Sequence, residues 1–450
     1  MPYQKNDEYG NCLPCTKSEV SYEQAKPMQV VIVDDYKVYC GPRAALNDDA
    51  PLTFEIEGSG DDYIDLSDTF LKLKVKITAE DGSPVTHLSD DGETPGEDPT
   101  VAPVNNFFHS LFSQVDVSLN DNVVSQSTNA YGYKAYLENL ASYSKAVKGT
   151  WLGGMEIWEH DEAGKFDNSL NKGHKDRLEL FLNGQEVELK GRLHTDLTFQ
   201  NRLIPNGVTA RFTLTRAKPS FCLNAFETDP ENYRVVITYA NLEVRKVRLV
   251  PKQQLEIEQT IAKIGAQIPI IHTVTKNFSI PQGVSTYDID GLFMGQRPFA
   301  ITLGLVENAS FTGMFSKNPF NFQHFDLNFL CLNVDGKQVP TRPLQPDYEN
   351  KAFIDCYETM FKGTRMYGDD VSHGLKRYEY PEGYCLYSFN LTPDKSDGQS
   401  HVSPRHHGSV RLSVHFAKPL PTTVTLIAVG EFNNVITVDK HRNIVFDYST

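Results

Sequence analysis

Residues 106–125 read NFFHSLFSQVDVSLNDNVVS, and residues 321–340 read NFQHFDLNFLCLNVDGKQVP. Asn106, Phe107, His109 and Val124 match Asn321, Phe322, His324 and Val339 at a constant offset of 215. Inside the first stretch Val115, Val117 and Leu119 alternate with polar residues, the period of a half-buried strand. Beyond each stretch comes an amphipathic segment. Tyr133, Tyr136, Leu137 and Leu140 recur at helical spacing, and Phe353, Ile354, Tyr357 and Phe361 nearly so, which predicts helices over 131–142 and 348–361. Lys134-Ala135-Tyr136-Leu137 there faces Lys351-Ala352-Phe353-Ile354. Further on, NGVTARFTLTRAKP (206–219) faces HGSVRLSVHFAKP (407–419), with Arg211 and Ala217-Lys218-Pro219 matching Arg411 and Ala417-Lys418-Pro419. Three matches in one order, with offsets that drift as loop insertions would make them, read as an internal duplication.

The rest of the chain repeats the strand period. Leu71, Leu73, Val75 and Ile77 alternate with Lys72, Lys74 and Lys76, a strand with a solvated lysine face. Val208 to Leu214 and Val410 to Phe416 alternate in the same way, and Val424–Val429 and Val435–Val438 read as mostly buried strands. Pro251 and Gly265 bracket a helix with Ile257, Ile261 and Ile264 on one face. Many short strands with few helices indicate β-sandwiches. Two copies of about 200 residues predict an all-β chain of two tandem jelly-roll β-sandwiches, a double jelly roll with a few short helices in its connections. The expected organisation is an arm and lead-in over 1–50, polar and aperiodic to residue 28, then a first jelly roll over 51–250. A connector helix comes next over 251–267, and a second jelly roll over 268–450. Loops 80–103, 144–176 (with Trp151 and Trp158) and 393–408 are long enough to be functional surface.

Of the 450 residues 58 are acidic and 43 basic, a formal net charge of −15, which argues against a protein that coats nucleic acid. The 26 Phe and 21 Tyr, against 2 Trp and 7 Met, suit strands more than long helices. No apolar run approaches the ~20 residues of a membrane span, and the first residues show no apolar segment of a secretory signal. Seven cysteines (12, 15, 40, 222, 331, 356 and 385) are odd in number and sparse, as expected of free thiols in a reducing compartment. The sequons at Asn277, Asn308 and Asn390 are then chance matches.

Candidate chemistry is thin. Cys12-Leu-Pro-Cys15 lacks the second ligand pair of a structural zinc and the βαβ setting of a redox pair, so an exposed thiol pair is expected. His401, His406 and His407 cluster without a metal-binding spacing and suit a surface or inter-subunit contact. His109 and His324 hold equivalent places in the two copies, which points to a structural role such as a buried hydrogen bond. The stretch 80–103 has seven acidic residues, four prolines and no Lys or Arg, but not the ligand order of an EF-hand, so it reads as a solvated loop. No nucleophile elbow, zinc-protease, Walker or dinucleotide motif occurs. No catalytic residue, metal site or cofactor is predicted.

GSGDDYIDLS (58–67), NNFFHSLFSQVDVSLND (105–121), FMGQRP (293–298), NPFNFQHFDLNFL (318–330), FNLTPD (389–394) and EFNNVITVDKHRNIVFD (431–447) resemble the hexon-type major capsid protein of polinton (Maverick) elements and adintoviruses. The resemblance covers nearly all of the chain from about residue 50; the first 50 residues and the loops 80–103 and 144–176 match nothing in it. It implies a non-enzymatic virion protein with a double jelly roll, a homotrimeric pseudo-hexagonal capsomer and an icosahedral shell around double-stranded DNA, made inside a host cell. The partners implied are neighbouring capsomers, minor capsid or penton proteins, and basic core or cement proteins, with no sequence-specific contact to nucleic acid and no membrane span. Two alternatives stand beside it. One is a two-module jelly-roll protein that binds or hydrolyses glycans, since carboxylate pairs are abundant. The other is a minor capsid or penton protein, for which one jelly roll would suffice.

Overall fold

The computed structural model describes residues 29–47, 50–58, 60–85, 101–125, 128–159, 161–164, 171–225, 232–364, 366–367, 372–393 and 404–446. Among the described residues, two sets of eight strands build four main sheets, and a short strand, Ile444–Val445, adds to one of them beside Val438. The first eight are β1 (Ile32–Cys40), β2 (Leu52–Ile56), β3 (Tyr63–Ala79), β4 (Phe112–Leu119), β5 (Asn122–Val123), β6 (Val187–Gly191), β7 (Ala210–Arg216) and β8 (Tyr233–Leu249). The second eight are β9 (Ala266–Ile280), β10 (Thr286–Gln296), β11 (Ala300–Glu307), β12 (Leu327–Val334), β13 (Lys337–Leu344), β14 (Leu386–Asn390), β15 (His407–Phe416) and β16 (Val424–Val438).

The first eight form two sheets, ordered β1-β8-β3-β6 and β2-β7-β4-β5. The second eight form β9-β16-β11-β14 and β10-β15-β12-β13. Every strand of the second half takes the place of the strand eight earlier, and all named pairings are antiparallel. The chain folds as two jelly rolls of one topology. The sequence alternation sets which side faces inward. Leu71, Leu73, Val75 and Ile77 are buried, while Lys72, Lys74 and Lys76 lie half-exposed on the other face. Between the two sheets of the first half Phe54 and Phe212 are fully buried; each such side chain contributes about 1.5–3 kcal/mol.

Among the described residues, three helices of ten or more residues join these strands. α1 (Tyr131–Ser142) runs between β5 and β6, α3 (Ile354–Gly363) between β13 and β14, and α2 (Pro251–Ile264) links β8 to β9. Proline opens α2, and Gly265 ends it at φ 77, a left-handed value that favours glycine. Ala266 and Gln267 already pair with Val438 and Thr437. Ile32–Cys40, inside the stretch read as lead-in, forms an edge strand of the first jelly roll.

Three expectations change. The helix expected over 348–361 begins only at Ile354. Before it the chain turns: Asp347 and Ala352 exchange backbone hydrogen bonds, Asp347 accepts the Asn350 N–H, and Lys351 is left-handed at φ 57. Lys351 to Phe353 thus precede a helix, whereas Lys134–Leu137 lie inside one, so that sequence match is not structural. The other two anchors hold, because both Ala-Lys-Pro triplets leave equivalent strands, β7 and β15. Finally, the described residues of 144–176 are helical over 145–156 and from Lys172 onward. Ser144 caps one short helix at Val147 N–H, a π-helical turn spans Lys148–Leu152, and Asn171 caps Lys172–Glu179.

Candidate assembly seam

The two jelly rolls share their cores. Val104, Tyr133, Tyr136, Leu137, Leu140 and Trp158 of the first half pack into the core of the second. Ile268, Ile270, Ile436, Val438 and Ile444 of the second half pack into that of the first. Helix α1 is the wedge. Tyr136 stacks on Phe320 at 4.2 Å and 3°, and packs on Trp158 at 5.0 Å. Tyr133 meets Phe311, Phe320, Phe322 and Phe221 at 5.5–6.3 Å. Hydrogen bonds cross beside the rings. Asn224 Nδ2 donates to Lys317 O at 2.8 Å, Asn318 Nδ2 to Ala163 O at 2.9 Å, and Tyr384 Oη to Asp161 O at 2.8 Å.

A buried polar network runs along the same wedge. Asp196, in the segment after β6, accepts from Lys134 Nζ of α1 and bonds His272 Nδ1 of β9, each at 2.7 Å. Burial alone would raise its pKa; Lys134 and His272 outweigh that and hold it below the usual range. One carboxylate therefore ties α1 to the first strand of the second jelly roll. Glu138, one turn on from Lys134, meets His194 Nδ1 at 2.6 Å. Burial raises Glu138 to about 7 despite Lys134, while burial and the neighbouring His109 push His194 well down. Lys148 is buried with carbonyl partners, Leu140 O at 2.7 Å and His373 O at 3.3 Å, and burial lowers it to about 7.

His109 is a fully buried member of this network. Tyr131 Oη accepts the His194 N–H and lies 3.0 Å from His109 Nδ1, and Glu156 lies 3.0 Å from Nε2. The arrangement that satisfies every group has Tyr131 donating to Nδ1 and Nε2–H donating to Glu156. His324 differs. It is 27% exposed on its side chain, stacks on Tyr348 at 4.0 Å, and accepts the Asp326 N–H at 2.9 Å through Nδ1. It steadies a turn in which Phe325 and Asp326 are both left-handed. The expected structural role takes the form of a buried hydrogen bond in one copy only.

The remaining candidates scatter. Cys12, Cys15 and His401 lie outside the described residues, as do 86–100 and 394–403 of two long loops. His407 opens β15 opposite Gln296, and the His406 carbonyl accepts the Arg297 N–H. Among the described residues no group of three or more His, Cys, Asp or Glu is placed to hold a metal ion. Cys40, Cys222, Cys331, Cys356 and Cys385 are unpaired, and no described helix is long and apolar enough to cross a membrane. Trp158 is buried in the seam, whereas Trp151 is 40% exposed. His194, Asp196 and His272 carried no sequence signal; only the Lys134–Glu138 spacing hinted at a charged pair on α1.

No family model matches the chain. An uncharacterized protein of Caenorhabditis elegans, F54H12.2, is 24% identical over 416 residues, 90% of this chain and 94% of that one. Among solved structures, a chain of the Sputnik virophage aligns with a TM-score of 0.59 and 10% identity, over 98% of this chain and 94% of its own. The Faustovirus major capsid protein aligns at 0.57 and 9%, over 96% and 93%. The mavirus major capsid protein aligns at 0.53 and 10%, over 99% and 96%. At such identities the likeness is one of fold, and it runs the length of both chains: this protein has the double jelly-roll fold found in the major capsid proteins of large DNA viruses and virophages.

Proposed function

We propose that this chain is the hexon-like major capsid protein of an icosahedral double-stranded DNA virus or virus-like element of the polinton or adintovirus kind, acting as a homotrimer. The observation that carries the proposal is the pair of jelly rolls of one strand order, fused through a shared core. Such a chain is one block with two nearly equal lobes, the first jelly roll beginning with Ile32–Cys40, ahead of the expected boundary near residue 51, and the second with Ala266–Ile280. Three chains around a threefold axis present six lobes, and a six-lobed ring tiles a flat facet. Ring closure needs head-to-tail contacts, which a chain with two different ends can supply. The sequence motifs between residues 58 and 447 support the polinton-type assignment. No step of this function is chemical; the work is assembly.

A net charge of −15 on each chain gives every capsomer like-charged edges and sets it against polyanionic DNA. Basic core or cement proteins, with minor capsid and penton proteins at the vertices, complete the shell. Mass photometry tests the reading. The purified chain should weigh three times 50.7 kDa and show a hexagonal outline in negative stain. A species with the mass of one chain refutes it.

A further inference from the structure

The two jelly rolls share a topology but not their surroundings, and the contrasts share one sense. Helix α1 buries eight of its twelve residues, Tyr131 and Ala135 in the core of its own jelly roll and Tyr133, Tyr136, Leu137 and Leu140 in that of the second; the equivalent α3 buries two of ten. On α3 Ile354 is 52% exposed. Strand β9 buries Ile268, Ile270, His272, Thr273, Val274 and Thr275, whereas none of the nine residues of the equivalent β1 is buried. On β1 Val33 and Tyr39 are 61% and 62% exposed. The segment after β7 is likewise filled: Phe221 packs on Tyr133 and Phe320, and Gly313 sits so close that a Cβ there would lie 3.1–3.2 Å from Ser220 and Phe221. The equivalent segment after β15 opens instead on a groove of about 460 Å³, lined by His324, Phe325, Pro381, Lys418, Pro419 and Pro421.

Each feature that is satisfied at the internal seam has an unsatisfied counterpart at the chain's two ends. The first jelly roll offers α1 and the segment after β7, and the second receives them with β9 and 308–322. The second jelly roll then offers α3 and the groove after β15, and nothing among the described residues receives them. The first jelly roll has β1 ready to receive, and nothing among the described residues covers it. We infer that the seam between subunits repeats the seam within the chain, with the α3 face and the adjoining groove of one copy seated on the β1 face of a second copy. The inference rests on the trimer reading and deepens it by naming the two surfaces. An exposed edge strand bearing Val33 and Tyr39 is a liability unless covered, and head-to-tail repetition of one contact closes a ring when the rotation allows.

Val33→Glu and Ile354→Glu test this, since both side chains are exposed and the substitutions should spare the fold of a single chain. Each variant should lose the trimer mass in favour of the single-chain mass while keeping its near-ultraviolet circular dichroism. Met294→Glu, on β10 and also 60% exposed, should remain trimeric. Hydrogen exchange on the unaltered protein supplies a readout free of substitutions: dilution of the trimer to single chains should release protection in 32–40 and 354–363 together. Trimers that persist in both glutamate variants, or exchange that changes elsewhere only, overturn the seam while leaving the capsomer reading intact. An unaltered chain that runs as a monomer at all concentrations overturns that reading and the seam with it.

Discussion

Truncating Tyr136 measures how strongly the two jelly rolls are coupled. Its ring is fully buried, lies on α1 of the first jelly roll, and stacks on Phe320 of the second at 4.2 Å. Tyr136→Ala removes a fully buried aromatic side chain from a core that cannot collapse on two sides at once, a loss of about 3–5 kcal/mol. Phe320→Ala should cost a similar amount. The stacked geometry adds about 0.5–1.5 kcal/mol that neither single variant isolates, and the double variant recovers it as a coupling energy. The assay is urea unfolding at fixed chain concentration, followed by tryptophan fluorescence. The chain has 2 Trp. Trp158 is buried 5.0 Å from Tyr136, and Trp151 is 40% exposed, so a Trp151→Phe background leaves a single reporter inside the seam. Each single variant should lower the transition midpoint with little change in slope. If either single loss stays under about 1 kcal/mol, or the two add within about 0.3–0.5 kcal/mol, the aromatic wedge does not hold the jelly rolls together.

The same geometry dictates other outcomes. Asp196→Asn leaves Lys134 and His272 without their shared carboxylate and should cost about 3–5 kcal/mol in chemical denaturation; an unchanged midpoint would mean the bridge contributes nothing. Glu138 is raised to about 7 in the folded chain from an ordinary 4.5. Its contribution is therefore complete below about pH 4.5 and lost as pH rises through 7. Glu138→Gln should flatten the melting temperature between those values, and a slope equal to the unaltered protein's would count against the assignment. Gly191→Ala sets a Cβ 2.6–2.8 Å from Phe108 and Glu156, beside the His109 network. Thermal melts should show a loss of about 1–3 kcal/mol, against none for Gly154→Ala, whose Cβ meets nothing within 4 Å. If the proposed capsomer forms, the purified protein should stay dispersed at 10–20 mM salt, where the Debye length is ~20–30 Å, and associate when salt or a basic protein is added. Light scattering that reports shells at low salt with no partner would refute the charge argument.

The jelly rolls were legible because their signals are local. Alternation along residues 71–77, 115–119 and 410–416 sets which side of each strand is buried, and the Asn-Phe-x-His and Ala-Lys-Pro repeats mark equivalent points in the two copies. The start of the helix before β14 was not legible, because the Asp347–Ala352 turn that delays it is made of side-chain and backbone hydrogen bonds with no periodicity. Residues 144–176 look like loop because their helices are short and capped singly by Ser144 and Asn171. The polar network was invisible for a different reason. His109, Glu156, His194, Asp196 and His272 are spread over more than 160 positions; the packing of α1 within its own jelly roll gathers the first four, and β9 brings His272 to Asp196.

The two histidines show what that packing does to a duplicated sequence. His109 and His324 each stand three residues before an equivalent strand, β4 or β12. An equal position would keep an equal role only if the surroundings were equal. The first lies beneath α1 in the fully buried network that runs to the internal seam, and its imidazole is bonded at both nitrogens, by Tyr131 and Glu156. The second lies beside the open groove, where one nitrogen steadies a strained turn and the other can be left to solvent. The difference between the copies is therefore a map of contact. Where a residue of the first jelly roll is buried by the second and its counterpart is exposed, the counterpart marks the surface that a neighbouring chain would bury.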